Sequence, residues 1–153
     1  MRLPIQVITY PVRRMPDGYW EYLLLQRTAR RGGFWQGASG GVEDGESISE
    51  AAMRELMEET GLSPLSFQKI ELVYTFHVGD KWRHLYAPDI HTITEHVFLA
   101  CVSDKAEPRL SNEHERYKWC QYNEAYSLLS QPERPQYITA IIKCAKYLTK
   151  VTE

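Results

Sequence analysis

Apolar and β-branched residues dominate two segments near the start of the chain and predict a β-hairpin. Residues 3–10 are rich in β-branched positions and partly alternate with polar ones, which favours a first strand. Residues 20–26 form a second apolar run, and the intervening residues 11–18 contain proline, aspartate and glycine, which indicates a turn. Two strands joined in this way are expected to pair as an antiparallel hairpin.

The strongest helical periodicity predicts a helix over residues 47–60. Ser47 is followed three residues later by Glu50, which is the pattern of a capping box at a helix start. Gly61 is a natural residue to end the helix, because glycine readily adopts the left-handed conformation found at helix ends. One face carries an apolar stripe that repeats every four residues and consists of Ile48, Ala52 and Leu56.

The rest of the chain predicts further strands followed by two helices. The strands are expected at 67–78, 93–103 and 117–121, with an irregular stretch at 80–90, and the helices at 123–129 and 132–149. This order of elements predicts a mixed β-sheet covered by helices on its faces, an α/β (α+β) fold. Because no linker or internal repeat interrupts the pattern, residues 1–153 are expected to form a single domain.

Length and composition exclude several classes of protein. A chain of 153 residues with 43% hydrophobic and 25% charged residues can bury a core, which excludes collagen-like, coiled-coil and largely disordered proteins. No apolar run of about 18 residues and no secretory h-region occurs, so neither a membrane span nor a secretory signal is predicted. Three cysteines without paired spacing fit a reducing compartment, and we expect a cytoplasmic protein.

Charge is unevenly distributed behind a net value of −2. Of 20 acidic and 18 basic residues, seven acidic and one basic lie within residues 43–61, which leaves 13 acidic and 17 basic residues elsewhere. An acidic segment inside a mildly basic remainder suits a cation site that serves an anionic substrate. A solvated acidic helix face would produce the same pattern, so charge alone leaves both interpretations open.

Three glutamates give the predicted helix a specific chemistry. Glu55, Glu58 and Glu59 are spaced i, i+3 and i+4, so their side chains share one helix face within about one turn. Like charges at this spacing destabilise a helix unless a cation compensates them, and carboxylate oxygens suit Mg²⁺ or Mn²⁺. Arg54 can also pair with Glu50 or Glu58, because each lies four residues away.

The complete pattern over residues 40–62 is more specific than the glutamate spacing. It is Gly40-x5-Glu46-x7-Arg54-Glu55-Leu56-x-Glu58-Glu59-x-Gly61-Leu62. The pattern resembles the Nudix box, the signature of the Nudix hydrolases, at every defined position. The resemblance implies a Nudix fold, in which a mixed β-sheet is sandwiched between helices. It also implies cleavage of a pyrophosphate linkage with Mg²⁺, or with Mn²⁺ in its place.

The same resemblance implies roles for residues of the box. Glu55 and Glu59 would be the principal metal ligands, and Glu58 would be a further ligand or the catalytic base. Arg54 would orient a glutamate during catalysis. Gly40 and the glycine after it would permit a tight turn and a close backbone approach to metal or phosphate, which places Gly40 among the metal-binding positions.

Five segments outside the box carry a narrower resemblance. They are Leu25-Gln26-Arg27, Phe34-Trp35-Gln36, Arg83-His84-x-Tyr86-Ala87-Pro88, Thr94-Glu95 and Glu113-His114-x-x-Tyr117-Lys118-Trp119. These segments are similar to those of the dihydroneopterin triphosphate pyrophosphohydrolases, which are also described as dATP pyrophosphohydrolases. The resemblance implies that Glu113 is another metal ligand or the catalytic base, supplied from a loop opposite the helix. It also implies that Arg27 and Ser39 contact the substrate.

The sequence therefore predicts a Nudix pyrophosphohydrolase that cleaves a nucleoside or pterin triphosphate, such as dihydroneopterin triphosphate or dATP, to the monophosphate and pyrophosphate. Two alternatives stay open: hydrolysis of RNA 5′ ends, nucleotide sugars or dinucleotides, and a non-catalytic Nudix module that senses a nucleotide. The intact box glutamates argue against the sensor, and the small basic excess argues against a nucleic acid partner. We expect a small-molecule substrate, no membrane partner, and a monomer or homodimer.

Overall fold

The computed structural model describes residues 1–152 and contains seven strands and three helices within that range. The strands are β1 (Ile5–Arg14), β2 (Trp20–Arg27), β3 (Trp35–Gln36), β4 (Ala38–Gly41), β5 (Ser66–His77), β6 (Thr92–Cys101) and β7 (His114–Cys120). The helices are α1 (Ile48–Thr60), α2 (Tyr122–Leu129) and α3 (Gln136–Val151). Short 3-10 helices form at Ala29–Arg31 and Asp80–Leu85.

β1 is the central strand of a mixed sheet. On one edge it pairs in parallel with β6, and β5 pairs antiparallel with β6 beyond it. On its other edge β1 pairs antiparallel with two strands in succession, β4 along residues 6–9 and β2 along residues 12–14. β2 continues past β1 and pairs antiparallel with β3 and β7. The predicted hairpin of β1 and β2 and the predicted mixed sheet are therefore confirmed.

β1 runs four residues beyond the predicted strand, so the prediction of a turn at 11–18 is wrong for residues 11–14. The Val12 carbonyl accepts a hydrogen bond from the Val102 N–H, on the edge that β6 occupies. Backbone groups of successive strand residues point to opposite edges, so those of Pro11 face the edge where pairing changes from β4 to β2. Proline has no N–H to donate, and at this break the sheet needs none.

Helices cover both faces of the sheet, as predicted. On one face, buried residues of α1 pack against the sheet; they include Ala51, Ala52 and Leu56 of the helix and Val7, Leu23, Leu25 and Phe98 of the strands. On the other face, α2 and α3 pack over a larger core that includes Ile8, Tyr10, Val97, Leu99, Ala125, Leu129, Ala140, Ile141 and Cys144. Because neighbouring strand residues alternate between the two cores, the sheet separates the α1 side from the α3 side.

The other predicted elements lie within two residues of their observed bounds, apart from two starts. β7 begins at His114, three residues before its predicted start, because its pairing with β2 continues as far as Arg27. α3 begins at Gln136 and not at 132, since the Arg134 N–H donates to the Gln131 carbonyl in a turn. Within residues 1–152, no helix combines the length and the apolar character needed to cross a bilayer.

Candidate active site

α1 carries the acidic residues of the site and is capped at both ends, as the sequence predicts. At its start the Ser47 hydroxyl accepts a hydrogen bond from the Glu50 N–H at 3.1 Å, and Glu50 Oε1 accepts one from the Ser47 N–H at 2.9 Å. At its end Gly61 adopts the left-handed conformation, with φ of 67°. These caps set the position of the helix and therefore the directions in which its glutamates point.

The three glutamates of α1 have different surroundings. Glu59 lies against the sheet with 1% of its side chain exposed, because it is next to the apolar stripe that packs there. Glu55 is largely buried, with 12% of its side chain exposed. Glu58 is 58% exposed. The three glutamates on the predicted face therefore differ in exposure, from the fully buried Glu59 to the solvent-exposed Glu58.

The glycine-rich segment is a strand and not the tight turn that the sequence predicts. β4 pairs with β1 throughout its length, and neither Gly40 nor Gly41 has a positive φ. The predicted close approach at Gly40 is confirmed, because a Cβ atom at this position would overlap the Glu55 carboxylate. Gly40 thus makes room for Glu55 between α1 and the sheet.

The backbone of β4 alternates between its partner strand and the side chains of α1. The Ser39 N–H donates to Glu59 Oε2 at 2.7 Å, and the Gly41 carbonyl accepts from Arg54 Nη2 at 2.9 Å. The backbone groups of Gly40, between these two residues, therefore point the other way, toward β1. Metal binding by Gly40 stays a prediction, and it is the Ser39 peptide that faces the glutamates.

Arg54 is held by several carboxylates. Its Nε donates to Glu46 Oε2 at 2.7 Å, and its Nη1 lies 2.8 Å from Glu55 Oε1 and 3.3 Å from Glu58 Oε2. The predicted pairing with Glu58 is confirmed, but pairing with Glu50 is wrong, because the capping box holds Glu50. Hydrogen bonds from Arg54 lower the pKa of Glu46 to about 2. Arg54 therefore ties the loop before α1 to Glu55.

Glu113 approaches the buried glutamates from across the site. It immediately precedes β7, and its backbone carbonyl accepts a hydrogen bond from the Thr28 N–H at 3.2 Å, which ties this loop to the end of β2. Its carboxylate is close enough to Glu55 and Glu59 to raise the pKa of both by charge repulsion. The structure therefore places Glu113 within electrostatic reach of both glutamates.

Burial and mutual repulsion disfavour the ionised form of these carboxylates. Burial raises the pKa of Glu59 to about 9, and repulsion from Glu55 and Glu113 adds to the rise. Burial likewise raises the pKa of Glu55 to about 7, against the opposing influence of Arg54. A bound cation would reverse both shifts, because it favours the ionised carboxylate.

The donor set fits a hard divalent cation such as Mg²⁺. All the donors are carboxylate oxygens, and Glu59 Oε1 is buried without a hydrogen-bond partner, so it is available to a cation. In the part of the chain that the structure describes, no three acidic, histidine or cysteine side chains already surround a common point as metal ligands. The carboxylates would therefore adjust their positions on binding.

A family model described as the NUDIX domain matches residues 5–141. The chain belongs to the Nudix family. Members of this family are hydrolases that act on nucleotide pyrophosphate bonds. The recognition of the Nudix box and the Nudix fold from the sequence is thereby confirmed.

Relatives of this Nudix protein match it over different shares of their length. A Myxococcus xanthus protein named octanoyltransferase is 37% identical over 76% of this chain, which corresponds to 30% of that protein. The dihydroneopterin triphosphate diphosphatase of Escherichia coli K12 is 34% identical over 63% of this chain and 66% of its own length. The chain therefore spans less than two thirds of each of these curated relatives. The solved structure of the E. coli dihydroneopterin triphosphate pyrophosphohydrolase has a TM-score of 0.70 and 27% identity, over 90% of this chain and 93% of that one.

Arg27 lies at the end of β2, close to the acidic residues of this Nudix protein. Its Nη1 donates to Gln36 Oε1 at 3.3 Å, and its guanidinium lies 5.7 Å from the centre of the Phe34 ring. Its charge opposes the rise in the pKa of Glu59, so it is within electrostatic reach of that carboxylate. Arg27 and Ser39, which the sequence predicts as substrate contacts, thus both lie near Glu59.

Glu95 is a buried carboxylate to which the sequence pattern assigns no role. The Tyr74 hydroxyl donates to its Oε1, and the Ser39 hydroxyl lies 3.4 Å from its Oε2. Burial raises the pKa of Glu95 to about 7, and these two hydrogen bonds oppose the rise. Its burial could have been predicted from strand alternation, since Glu95 lies between Ile93 and Val97 on the buried face of β6.

His114 is a second buried polar residue without a role in the sequence pattern. None of its side chain is exposed, and neither ring nitrogen has a hydrogen-bond partner among the described residues. Its Nδ1 lies 3.9 Å from Glu59 Oε1. Burial, together with the charges of Arg27 and Arg31, lowers the pKa of His114 to about 4. The sequence predicts that β7 starts at residue 117, so the prediction did not place His114 in the sheet.

Proposed function

We propose that this Nudix protein is a divalent-cation-dependent pyrophosphohydrolase that cleaves a nucleoside or pterin triphosphate to the monophosphate and pyrophosphate. The observation that carries the proposal is the state of Glu59. It is a buried carboxylate with one oxygen bound to the Ser39 N–H and the other without a partner. Glu55 and Glu113 repel its charge. Such an arrangement destabilises the ionised protein unless a cation joins it.

Dihydroneopterin triphosphate is the substrate that we propose, with dATP as the nearest nucleotide. The 34% identity to the E. coli dihydroneopterin triphosphate diphosphatase supports this choice. The position of Arg27 also supports it, since a guanidinium near the acidic residues can bind the phosphates of a triphosphate.

The acidic residues divide into cation ligands and a base. We assign Glu55, Glu59 and Glu113 to cation binding, with Glu58 as a further ligand from the exposed side. When bound, the cation would neutralise phosphate oxygens and lower the pKa of water. Glu58 and Glu113 are the two carboxylates that we assign to general-base catalysis, in which one of them removes a proton from the attacking water.

Three further residues position the reacting groups. Arg54 donates hydrogen bonds to both Glu46 and Glu55, so it fixes the orientation of Glu55. We assign Arg27 to a phosphate group of the substrate, which its guanidinium would bind with charge-assisted hydrogen bonds. The Ser39 peptide holds Glu59 in place, and we assign Ser39 to substrate binding.

A substrate panel with Mg²⁺ tests the proposal; the triphosphates are scored by released pyrophosphate, and ADP-ribose and the diadenosine polyphosphates by the mononucleotide that they release. The panel contains dihydroneopterin triphosphate, the common nucleoside triphosphates, oxidised purine nucleotides, ADP-ribose, diadenosine polyphosphates and 5′-triphosphorylated RNA. We expect the pterin to have the highest kcat/KM and dATP to follow it. EDTA should abolish the release, and Mn²⁺ should restore it in part.

The panel separates the substrate from the mechanism. Preference for RNA, a nucleotide sugar or a dinucleotide would overturn the pterin assignment and leave the cation-dependent mechanism standing. If all compounds stay intact while one of them binds tightly, the sensor interpretation replaces the proposal. The Glu59→Gln variant is the control for contaminating phosphatases, since it should bind the substrate and release almost no pyrophosphate.

We also propose that the protein works in the cytoplasm as a single domain. Its three cysteines are free and two of them, Cys120 and Cys144, are buried, which suits a reducing compartment. The family match over residues 5–141 supports one domain. A monomer or homodimer stays a prediction that analytical ultracentrifugation would test.

A further inference from the structure

His114 and Glu59 each have a buried polar atom without a hydrogen-bond partner, and the two atoms lie close together. His114 Nδ1 lies 3.9 Å from Glu59 Oε1, and within residues 1–152 neither atom has a hydrogen-bond partner. Buried polar atoms are nearly always hydrogen-bonded in folded proteins, so two unpaired atoms that face each other require an explanation. A shift of about 1 Å would bring them within hydrogen-bond distance.

We propose that His114 is a positioning residue for Glu59: its Nδ1–H donates a hydrogen bond to Glu59 Oε1 and fixes the carboxylate for cation binding. The Ser39 N–H already holds the other oxygen, Oε2, at 2.7 Å. With both donors in place, the carboxylate cannot rotate away from the cation. This inference rests on the proposed function of Glu59 as a cation ligand.

The hydrogen bond and the cation do not compete for the same electrons. Each oxygen of an ionised carboxylate has two lone pairs, so Glu59 Oε1 can accept from His114 and still bind a cation. Partners of this kind, which hold a ligand without touching the metal, raise metal affinity by fixing the ligand's orientation. The atom of His114 that faces Glu59 is Nδ1, so the proposal requires a proton on Nδ1.

The sheet explains how His114 reaches this place. His114 is the first residue of β7 and lies opposite Arg27 of β2, where the register shifts between Gln26 and Arg27. Such irregularities redirect side chains at strand ends. The same strand start also carries Glu113 toward the glutamates of α1, so one short segment supplies a proposed ligand and the residue that orients another.

The direct test is the tautomer of His114 at saturating Mg²⁺, where the bound cation keeps Glu59 ionised and able only to accept. Two-bond ¹H–¹⁵N correlation spectra of the ¹⁵N-labelled chain show which nitrogen of each of the five histidines carries the proton. The His114 signals are assigned by their loss in the His114→Asn variant. We expect a proton on Nδ1. A proton on Nε2 alone overturns the proposal, whichever substrate the enzyme uses.

Affinity for Mn²⁺, measured by electron paramagnetic resonance on the full chain, is the second readout. His114→Leu removes the donor and keeps an apolar side chain, and we expect 10- to 100-fold weaker binding, roughly the effect of removing such a partner elsewhere. His114→Asn keeps a donor near the Nδ1 position and should bind Mn²⁺ within a few-fold of wild type. His96→Leu on β6 is the matched control, since His96 also has a buried unpaired Nδ1 but lies on another strand, between Val7 of β1 and Val73 of β5.

Wild-type Mn²⁺ affinity in His114→Leu, or an equal loss in His114→Asn and His114→Leu, would show that the ring does not act through a hydrogen bond. If His114→Leu does not fold, the comparison moves to Asn and Gln at this position. The Gln amide reaches the Nε2 position, so the proposal requires Asn to bind Mn²⁺ more tightly than Gln. A failure of the proposed function gives a different result, because Glu59→Gln would then keep wild-type activity. The tautomer of His114 tests the hydrogen bond independently of that activity.

Discussion

Two buried carboxylates, Glu59 and Glu95, lie on either side of Ser39 and have opposite relations to their surroundings. Glu59, on the α1 side, accepts the Ser39 N–H with one oxygen and has no partner for the other. Glu95, on the α3 side, accepts the Tyr74 hydroxyl with one oxygen and faces the Ser39 hydroxyl at 3.4 Å with the other. Both side chains are fully buried.

The neighbouring charges also favour ionised Glu95 over ionised Glu59. Glu55 and Glu113 repel the charge of Glu59 more strongly than Arg27 attracts it, whereas Arg134 attracts the charge of Glu95. Burial alone therefore does not mark a functional carboxylate. Glu59 differs because it is buried, incompletely hydrogen-bonded and surrounded by like charges, which together call for a cation that the chain does not supply.

Glu59→Gln should produce the largest effect. The amide keeps the shape of the side chain and its contact with the Ser39 N–H, but it removes the charge that holds a cation. We expect kcat to fall by roughly 10³-fold, which corresponds to about 4 kcal/mol of lost transition-state stabilisation. Pyrophosphate release with Mg²⁺ measures the loss. Wild-type turnover in this variant would remove Glu59 from the site.

The pH dependence of stability should be the next largest effect. The pKa of Glu59, about 9, and those of Glu55 and Glu95, each about 7, exceed the ordinary glutamate value of 4.5, so between these values the folded state binds more protons than the unfolded state. The free energy of unfolding of the metal-free protein should therefore fall as pH rises through this window, by on the order of a few kcal/mol. Urea denaturation in EDTA at several pH values measures the fall.

Mg²⁺ should stabilise the protein at high pH through Glu59 and not through Glu95. A cation compensates the charges of Glu55 and Glu59 but lies outside the surroundings of Glu95, so it should restore only part of the stability lost at high pH. In Glu59→Gln the fall with pH should be smaller and the response to Mg²⁺ weaker. Identical pH curves with and without Mg²⁺ would contradict a cation site at Glu59.

Gly40→Ala should disturb the α1 side through a single methyl group. The added Cβ would overlap the Glu55 carboxylate and push it out of place, and displacements of about 1 Å at an active site can cost about 100-fold in rate. We expect kcat to fall 10- to 100-fold. Gly41→Ala is the matched control, since a Cβ there meets open space and neither glycine has a positive φ. Equal activities of the two variants would show that Glu55 does not need its present position.

The α1 region could be predicted from the sequence because its determinants are local. The caps at Ser47 and Gly61 and the apolar stripe all lie within one segment, and the helix forms within one residue of its predicted start. The same local pattern places the glutamates on a common face. It does not show that Glu59 is buried while Glu58 is exposed, because that depends on which part of the face meets β4.

The rest of the site depends on strand pairing that local patterns do not specify. Glu113 and His114 reach Glu59 only because β7 pairs with β2, and the register of that pair is set by contacts between distant parts of the chain. Local turn residues also misled the prediction at Pro11 and in the glycine-rich β4. Both segments are strands, because proline fits where β1 changes partners and glycine fits beneath Glu55.

Glu95→Gln should have the smallest effect, because the α3 side already satisfies this carboxylate. The variant keeps one acceptor oxygen, and the hydroxyls of Tyr74 and Ser39 can each accept a hydrogen bond from the new amide in place of donating one. We expect a change of about 1 kcal/mol in the free energy of unfolding near neutral pH. Urea denaturation measures it, and kcat and Mn²⁺ affinity should stay within a few-fold of wild type. A loss of turnover as large as that of Glu59→Gln would instead extend the active site through Ser39 to the α3 side, and would end the distinction between the two carboxylates.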